Sequence, residues 1–360
     1  MKTTKLYLAA FTPSNPDGSP NLQAFSSFLT HQANRKYYTE IESTSIGQEI
    51  PLFDGIVVFG TTGGNFDFTL AQGIDLITTA GQLKRDGKIP PSTELIAGVG
   101  WNTTEGALTL TEAANAMGYD KIMIRQPAYT RETYPGDETV FEEYFRPILE
   151  NTDIPAFLYN IPQRTTLDLS YAVVRMISGI KGLREKIAGI KESSDEGLKR
   201  MRELRRQFPW LQFYNGNDRN ILQTVKAGAV GVTSGMANGF GILLRRLADE
   251  AGRNSRRAPL MQESMNLAIE LTRPHEVDFY LSLWGFGPQG IRKPLAEGQM
   301  AETLARLEGI PDSFQRSQMK MELVMSTPPT EEFKTKHTQR LTQKEIITLP
   351  APQDRKRNTN

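Results

Sequence analysis

The sequence predicts an α/β protein, a (β/α)8 TIM barrel with a small C-terminal helical domain. Eight short apolar runs rich in β-branched residues follow one another, and each precedes a polar or Gly/Pro turn and then a segment of helical period. The runs show little alternation of polarity, which is typical of parallel strands buried on both faces. No GxGxxG or GxxxxGK(S/T) motif follows the first run, which argues against nucleotide-binding open sheets. Eight β-then-α units in series therefore favour a closed barrel.

Each of the eight runs can be placed in the sequence. With one exception, the interval between two consecutive runs is predicted to be a crossover helix. The predicted strands are Leu6–Thr12, Gly55–Thr61, Glu94–Gly100, Lys121–Pro127, Ile154–Asn160, Ile187–Glu192, Gln212–Asn217 and Val230–Ser234. Residues 35–52, RKYYTEIESTSIGQEIPL, stand between the first helix and the second strand. Because this segment precedes a strand, we expect a surface insertion at the N-terminal face of the barrel.

The strand pattern stops after the eighth run, so the barrel is predicted to span residues 1–235. Residues 236–312 read as helices only and predict a small helical domain packed on the barrel. Residues 313–360 are polar and punctuated by proline, and they carry nine Lys/Arg against five Asp/Glu. We expect this basic segment to be a mobile, solvated tail.

Composition excludes several classes of function. The chain has no cysteine, and its three histidines, His31, His275 and His337, are far apart in sequence, so no metal site and no Ser–His or Cys–His triad is expected. The 42 basic and 41 acidic side chains nearly cancel, which gives no reason to expect nucleic acid or a membrane surface as partner. No apolar stretch approaches the roughly 18 residues of a membrane span, and the N-terminal apolar run is too short for a signal peptide. We therefore expect a cytoplasmic protein.

One strand end has an unusual residue. In this fold the working residues lie at the C-terminal strand ends, and Lys191 follows the apolar run IAGI directly. The ammonium group would lie at or inside the barrel mouth. It could simply pair with Glu192 or another carboxylate, or it could be a desolvated amine that attacks a ketone to form a Schiff base.

Two neighbouring strand ends are compatible with the second interpretation. Thr61 and Thr62, in a turn flanked by glycines, can offer hydroxyl and backbone N–H donors to a small carboxylate, while Tyr159 can shuttle protons. Threonine is common in strands and a barrel tyrosine is usually a packing residue, so each signal is weak alone. Together they form a consistent set.

The order of these motifs resembles a known family. GTTG, a Pro-x-Tyr loop, YNIPQRT, GIKE, a GND turn and GVTSGMAN are similar to the motifs of the dihydrodipicolinate synthase / N-acetylneuraminate lyase family of pyruvate-dependent class I aldolases. The resemblance covers roughly residues 5–300. It implies a homotetrameric (β/α)8 lyase that needs neither metal nor organic cofactor, with pyruvate and a small aldehyde as substrates.

The resemblance also implies a role for each matching residue. Lys191 would carry the Schiff base and Tyr159 would act as general acid/base, while Thr61 and Thr62 would hold the pyruvate carboxylate and relay protons. The remaining matches are Tyr129, lent from a neighbouring subunit to complete the relay; Arg164, which would grip the carboxylate of aspartate semialdehyde; and Gly216 and Val232, whose backbone would line the pyruvate pocket. The alternatives are a loop aromatic for Tyr129 and a salt bridge with Asp168 for Arg164.

The chain departs from the family pattern around the aldehyde rather than around the Schiff base. Gly64 replaces the acidic residue that ends GTTGE, Ala128 replaces one of two loop tyrosines, and Asn217 replaces the second residue of GDD. The expected reaction is the condensation of pyruvate with aspartate semialdehyde. The alternatives are cleavage of a 2-keto-3-deoxy sugar acid, for which Gly64 and Ala128 would open space, and a barrel that binds small molecules without catalysis.

Overall fold

A computed structural model describes residues 4–38, 49–128 and 133–272 of the chain, with the backbone alone for 271 and 272. The strands are β1 (Lys5–Ala9), β2 (Lys36–Tyr38), β3 (Glu49–Pro51), β4 (Gly55–Val58), β5 (Glu94–Gly98), β6 (Lys121–Arg125), β7 (Ala156–Asn160), β8 (Ile187–Glu192), β9 (Phe213–Asn215) and β10 (Gly231–Ser234). Strands β4 to β10 pair in chain order with parallel neighbours, and β1 pairs with both β4 and β10. The predicted (β/α)8 barrel is therefore confirmed.

Helices connect the barrel strands and form its outer layer. They are α1 (Leu22–Ala33), α2 (Leu70–Arg85), α3 (Thr104–Met117), α4 (Asp137–Val140), α5 (Arg146–Glu150), α6 (Pro162–Thr165), α7 (Tyr171–Gly179), α8 (Lys181–Glu185), α9 (Gly197–Gln207), α10 (Ile221–Lys226), α11 (Ala237–Gly252) and α12 (Ala258–Thr272). A π-helical turn joins α4 to α5. Local chemistry sets the ends of the longer helices: Thr69 and Gln72 form a capping box at the start of α2, and α3 ends at Gly118 with φ of 72°.

Each predicted run coincides with one strand of the barrel, but most runs extend beyond the paired residues. The run Gly55–Thr61 ends its hydrogen-bonded ladder at Val58, and Gln212–Asn217 is paired only at Phe213–Asn215. The residues that follow leave the ladder and enter loops at the C-terminal face. Where a run extends past the end of its strand, the extra residues therefore line the barrel mouth. The runs that begin at Ile154, Gln212 and Val230 also start before their strands.

The alternation of side chains produces two apolar layers. On β6, Ile122 and Ile124 belong to the layer between strands and helices, while Met123 belongs to a separate cluster inside the barrel. The inner cluster joins strands that are not neighbours, because the rings of Tyr7 and Phe157 on β1 and β7 lie 6.0 Å apart. Strands buried on both faces explain why the sequence runs show so little polar alternation.

The N-terminal end of the barrel is closed by a charged cluster around Glu94. Its carboxylate accepts hydrogen bonds from Lys5 at 2.6 Å, from Lys121 at 2.5 Å and from the buried hydroxyl of Tyr7 at 2.6 Å. Burial by itself would raise the pKa of Glu94, but the bonds from Lys121, Lys5 and Tyr7 outweigh it and lower that pKa to about 2. The cluster ties together the first residues of β5, β6 and β1.

The segment predicted as an insertion contains an antiparallel pair, β2 with β3, and its residues 39–48 lie outside the described part. The returning chain is held at the N-terminal face: Arg245 of α11 donates to the carbonyl of Leu52 at 2.8 Å and to that of Thr4 at 3.1 Å. Arg245 also pairs with Asp54 at 2.6 Å. Thr4 and Asp54 lead into β1 and β4.

The contacts of helix α11 are relevant to the domain boundary predicted at residue 235. Asn238 donates to the carbonyl of Ala9 at 2.8 Å and accepts from the amide of Phe11 at 3.3 Å, so α11 is bonded to the end of β1. A barrel of eight units needs a helix after its last strand, and α11 takes that place. We propose that the barrel continues through α11 and that the C-terminal domain begins after it. Beyond residue 272 the predicted domain and the tail 313–360 lie outside the described residues.

None of the helices in the described ranges is long and apolar enough to cross a membrane.

Candidate active site

Lys191 and Tyr159 lie side by side at the C-terminal end of the barrel. They are direct partners in the register of β8 with β7, and the Lys191 Nζ lies 4.2 Å from the centroid of the Tyr159 ring. Both are buried, with 6% and 5% of their surface exposed. Tyr159 follows Phe157 of the inner cluster by two residues and is itself a member of that cluster, so both side chains point into the barrel. The amine is thus placed where a small bound ketone could reach it.

The carboxylate next to Lys191 in sequence is not its partner. Glu192 points to the opposite face of β8, where it accepts from Asn160 at 2.9 and 3.0 Å, from Arg200 at 3.1 Å and from the amide of Ser194 at 2.8 Å. Lys191 makes no ion pair with any residue in the described part of the chain. The interpretation of Lys191 as one half of a pair with Glu192 is therefore not what the structure shows.

The threonine turn after β4 approaches Tyr159. The Thr61 hydroxyl donates to the Tyr159 hydroxyl at 3.5 Å, a long bond. Two carbonyls of the turn accept hydrogen bonds. The amide of Gly64 donates to the carbonyl of Thr61 at 3.2 Å, and the Thr12 hydroxyl donates to the carbonyl of Gly63 at 2.8 Å. Within the described residues, the amides of Thr61 and Thr62 have no acceptor. These N–H groups are available to an anionic ligand.

The geometry of the turn accounts for the glycine that replaces the expected acidic residue. Gly64 has φ of +87°, a conformation that L side chains rarely adopt. A Cβ on Gly64 would also lie 2.5 Å from the ring of Phe68. This departure from the family pattern is thus part of a different local packing rather than a simple loss of one carboxylate.

Gly216, just beyond β9, makes room for Lys191. A Cβ at this position would lie 2.9 Å from Lys191 Cε and 1.9 Å from Ser193 Oγ. The amide of Gly216 donates to the Glu192 carbonyl at 2.8 Å, which holds the backbone close to β8. A side chain at this position would therefore displace the side chains of Lys191 and Ser193.

Val232 lies on β10 with its side chain in the layer between strands and helices, so that side chain does not face the barrel interior. Because successive residues of a strand point to opposite faces, the inward side chain on β10 is that of Thr233, which pairs with the inward Tyr7. Thr233 Oγ1 is buried and accepts or donates no hydrogen bond in the described structure. Thr233 is therefore the side chain of β10 that faces the site, whereas the prediction for Val232 concerns its backbone and stays a prediction.

Arg164 lies on the rim of the mouth. It is part of the short α6 that follows β7, its side chain is exposed, and it forms no ion pair with the described residues. The predicted alternative partner is engaged elsewhere: Asp168 accepts from Asn160 at 2.9 Å and lies 3.6 Å from Arg200. The guanidinium of Arg164 is therefore free to meet a ligand. Tyr129 falls in 129–132, outside the described residues.

A further buried residue at the mouth was not singled out from the sequence. Arg125, the last residue of β6, is only 4% exposed and is the register partner of Tyr159. Its Nε donates to Asn65 at 2.9 Å, its Nη1 donates to Asn102 at 3.1 Å, and its guanidinium carbon lies 4.2 Å from the centroid of the Phe66 ring. Burial lowers the pKa of Arg125 below its usual value. The apolar run KIMIR ends in a charged residue, as IAGIK does, so the same sequence pattern that pointed to Lys191 could have identified Arg125.

Over the ranges that the structure describes, no three or more His, Asp or Glu side chains are grouped so that they could hold a metal ion.

Comparison with known proteins identifies the family. The family model described as the dihydrodipicolinate synthetase family matches residues 22–306. The chain belongs to the dihydrodipicolinate synthetase family. It is therefore a lyase of the family's aldolase class, as the motifs predicted.

Relatives agree with membership of this family, and solved structures share the fold. A 4-hydroxy-tetrahydrodipicolinate synthase from Pseudomonas aeruginosa is 33% identical over 250 residues, which cover 67% of this chain and 80% of that protein. One from Oceanobacillus iheyensis is 29% identical, covering 74% and 87%. The dihydrodipicolinate synthase of Aquifex aeolicus shares the fold with a TM-score of 0.69 at 23% identity, over 85% of this chain and 97% of that one. The N-acetylneuraminate lyase of Fusobacterium nucleatum does so with 0.66 at 22%, over 89% and 98%.

Proposed function

We propose that this protein is a class I aldolase that binds pyruvate as a Schiff base on Lys191 and condenses it with aspartate semialdehyde, which is the reaction of 4-hydroxy-tetrahydrodipicolinate synthase. The observation that carries the proposal is the pair of Lys191 and Tyr159: a buried amine with no carboxylate partner in the described structure, 4.2 Å from an aromatic ring whose hydroxyl meets Thr61. A buried amine next to a proton-transfer group is the arrangement that nucleophilic catalysis on a ketone needs.

The proposed reaction uses only groups of this site. The neutral amine of Lys191 attacks C2 of pyruvate, and the C2 oxygen leaves as water after it has received a proton from the relay of Tyr159 and Thr61. The positive imine nitrogen then accepts electrons as C3 loses a proton, which leaves a nucleophilic enamine. Its C3 forms a bond to the aldehyde carbon, and the aldehyde oxygen takes up a proton in place of the one that C3 lost to the relay. Water then adds to the imine carbon, the bond to the Lys191 nitrogen breaks, and the product leaves with a restored carbonyl. Thr61 and Thr62 would hold the pyruvate carboxylate through their unengaged N–H groups.

Aspartate semialdehyde is favoured as the acceptor for two reasons. Curated relatives at about 30% identity are named 4-hydroxy-tetrahydrodipicolinate synthase. In addition, the mouth carries Arg164 without a counter-ion in the described structure, and a planar guanidinium suits a carboxylate. The second candidate is the cleavage of a 2-keto-3-deoxy sugar acid. It is favoured by the small Ala128 near the mouth and by the fold shared with N-acetylneuraminate lyases. Gly64 opens no such space, because the ring of Phe68 lies where its side chain would be.

Assembly and location follow from the family resemblance and remain part of the proposal. We propose a homotetramer in which Tyr129 is lent across a tight dimer, in a cytoplasmic protein that uses no cofactor and no metal. Pyruvate as the first substrate is supported by a structural neighbour from Acinetobacter baumannii that was solved in complex with pyruvate, at 23% identity and a TM-score of 0.68.

Borohydride trapping tests the first step. The protein is incubated with pyruvate and sodium borohydride at controlled pH, digested and analysed by mass spectrometry, together with Lys191→Ala and with Lys199→Ala, which removes an exposed lysine of α9. We expect one reduced adduct on Lys191 in the wild-type protein and in Lys199→Ala, and none in Lys191→Ala. Pyruvate binding without any adduct would instead support the barrel that binds without catalysis.

Coupled assays then separate the two substrate candidates. Aspartate semialdehyde is supplied with pyruvate in one assay, and a 2-keto-3-deoxy acid is supplied alone in the other. Turnover with aspartate semialdehyde supports the synthase, whereas turnover with only the sugar acid would remove that assignment and leave the Schiff-base chemistry standing.

A further inference from the structure

Arg125 is a buried charge held by neutral groups. Its guanidinium donates to the amide oxygens of Asn65 and Asn102 and to the carbonyl of Gln126, and it stacks on Phe66. Among the described residues it pairs with no carboxylate, and no acceptor is found for its Nη2. The described residues thus engage Nε and Nη1 and leave only Nη2 without an acceptor.

An arrangement of this kind is costly for the unliganded protein. Removing a charged group from water costs several kcal/mol, and amide oxygens compensate for that loss only in part. An arginine that is 4% exposed would ordinarily be paired with a carboxylate. The missing anion is therefore expected to come from a ligand, which would complete the hydrogen bonding of the guanidinium.

The position of Arg125 directs it towards the reacting groups. The register places Arg125 opposite Tyr159, and Tyr159 opposite Lys191, in one row across β6, β7 and β8. Arg125 follows the inward-facing Met123 by two residues and so points to the same interior. Gly100 leaves the space for its stem, since a Cβ there would lie 2.3 Å from Arg125 Cγ.

The row gives two places for negative charge. The unengaged amides of the Thr61–Thr62 turn suit the carboxylate of pyruvate, which leaves Arg125 for a second anion. Arg164 could also meet that anion, but it is exposed on the rim, where water competes for the guanidinium. A buried guanidinium discriminates more strongly, because a substrate without the anion leaves its charge and its Nη2 donors without a partner from the described residues.

We propose that Arg125 binds the carboxylate of the acceptor aldehyde and selects anionic acceptors over neutral ones. This inference rests on the proposed aldolase function and deepens it. It moves the main specificity contact from the rim at Arg164 to the interior row beside Tyr159. It also favours an aldehyde that carries a carboxylate over the neutral aldehyde released from a sugar acid.

The test compares Arg125→Met and Arg125→Lys with Arg164→Met and with Arg175→Met, a control that removes an exposed arginine of α7. Each variant is assayed for kcat/KM with aspartate semialdehyde and with neutral glyceraldehyde, and for the pyruvate concentration that half-saturates borohydride trapping. In Arg125→Met we expect a loss of about 10²-fold or more with the anionic aldehyde, no comparable loss with the neutral one, and trapping within about twofold of wild type. Arg125→Lys should recover part of the loss, and Arg164→Met should lose less than Arg125→Met.

Several results would overturn the inference. Equal losses with both aldehydes, together with a lower melting temperature, would mean that Arg125 only braces the loops of Asn65 and Asn102. Loss of pyruvate trapping would assign Arg125 to pyruvate instead. A larger loss in Arg164→Met would return the contact to the rim.

The inference can also fail or hold separately from the proposed function. If the wild-type protein traps no pyruvate, the aldolase proposal fails, and calorimetric titration with succinate then tests the anion site directly. Binding to the wild-type protein and to Arg175→Met that is at least tenfold weaker in Arg125→Met supports the site. Equal binding to all three, or none, refutes it.

Discussion

The substitution Gly216→Ala tests whether the close approach of Gly216 to Lys191 matters for the reaction. The added methyl would lie 1.9 Å from Ser193 Oγ and 2.9 Å from Lys191 Cε. The serine hydroxyl can rotate away, but the lysine stem must retreat by about 0.6–1.1 Å to reach an ordinary carbon–carbon contact of about 3.5–4.0 Å. A displacement of about 1 Å from a reactive geometry costs about 10²-fold in rate, or about 2.7 kcal/mol in the activation barrier.

Single-turnover trapping with pyruvate and borohydride measures this loss. Gly182→Ala is the matched control, because a Cβ on that glycine of α8 would meet nothing within 4 Å. The double variant Gly216→Ala/Ser193→Ala removes the hydroxyl contact and leaves the contacts with Lys191 Cε at 2.9 Å and with Ser193 Cβ at 3.1 Å, an atom that the alanine retains. We expect about 10²-fold slower trapping in both Gly216→Ala variants, with melting temperatures near that of wild type. Trapping at the wild-type rate by folded Gly216→Ala would refute the idea that Lys191 needs this space.

Two further predictions concern Tyr159 and Glu94. Tyr159→Phe keeps the ring beside Lys191 but removes the hydroxyl that meets Thr61. We therefore expect kcat to fall by about 10²–10⁴-fold, with little change in the pyruvate concentration that gives half-saturation. Unchanged turnover would contradict the proton-transfer role. The pKa of Glu94 is lowered from 4.5 to about 2 in the folded protein, so its stabilising effect is present above pH 4.5 and is lost as the pH falls towards 2. After allowance for partial exposure this is about 2 kcal/mol. Urea unfolding between pH 2 and pH 7 should show a smaller fall in stability at acid pH for Glu94→Gln than for wild type, and equal slopes would exclude the effect.

The two ends of this barrel differ in the partners of their charged residues. Both ends carry buried or half-buried charged side chains. At the N-terminal end Glu94 is paired with Lys5 and Lys121, which is a closed structural cluster. At the C-terminal end Lys191 and Arg125 have no carboxylate partner among the described residues, and this difference supports the proposed site at that end.

The strands could be predicted because their signal is local. Burial on both faces makes each strand a continuous apolar run, and all eight runs coincide with strands. The strand ends were less certain, because apolar and polar residues continue past the last ladder bond into the loops of the mouth. Lys191 and Tyr159 could be found because a polar residue directly after such a run must lie at that mouth.

Other features depend on which way a side chain turns. Glu192 pairs with Arg200 rather than with Lys191 because of the pleat of β8 and the position of α9. The sequence determines neither the pleat nor that position. The same alternation turns the side chain of Thr233, rather than that of Val232, towards the barrel interior. Arg125 does not stand out in the sequence, because a terminal charge on a strand is usually paired, and only the fold surrounds it with amide oxygens and an aromatic ring and leaves it without a carboxylate partner among the described residues.

The sequence by itself determined the closed barrel, the order of its strands and the set of polar residues at their C-terminal ends, since hydrophobic period and strand order are properties of neighbouring residues along the chain. The tertiary structure decided which of those residues meet. The row of Arg125, Tyr159 and Lys191, separated in sequence, arises from the register of three parallel strands. The partners of each charge are likewise set by the packing of distant segments, because hydrogen bonds and burial depend on distances in space that no local pattern records.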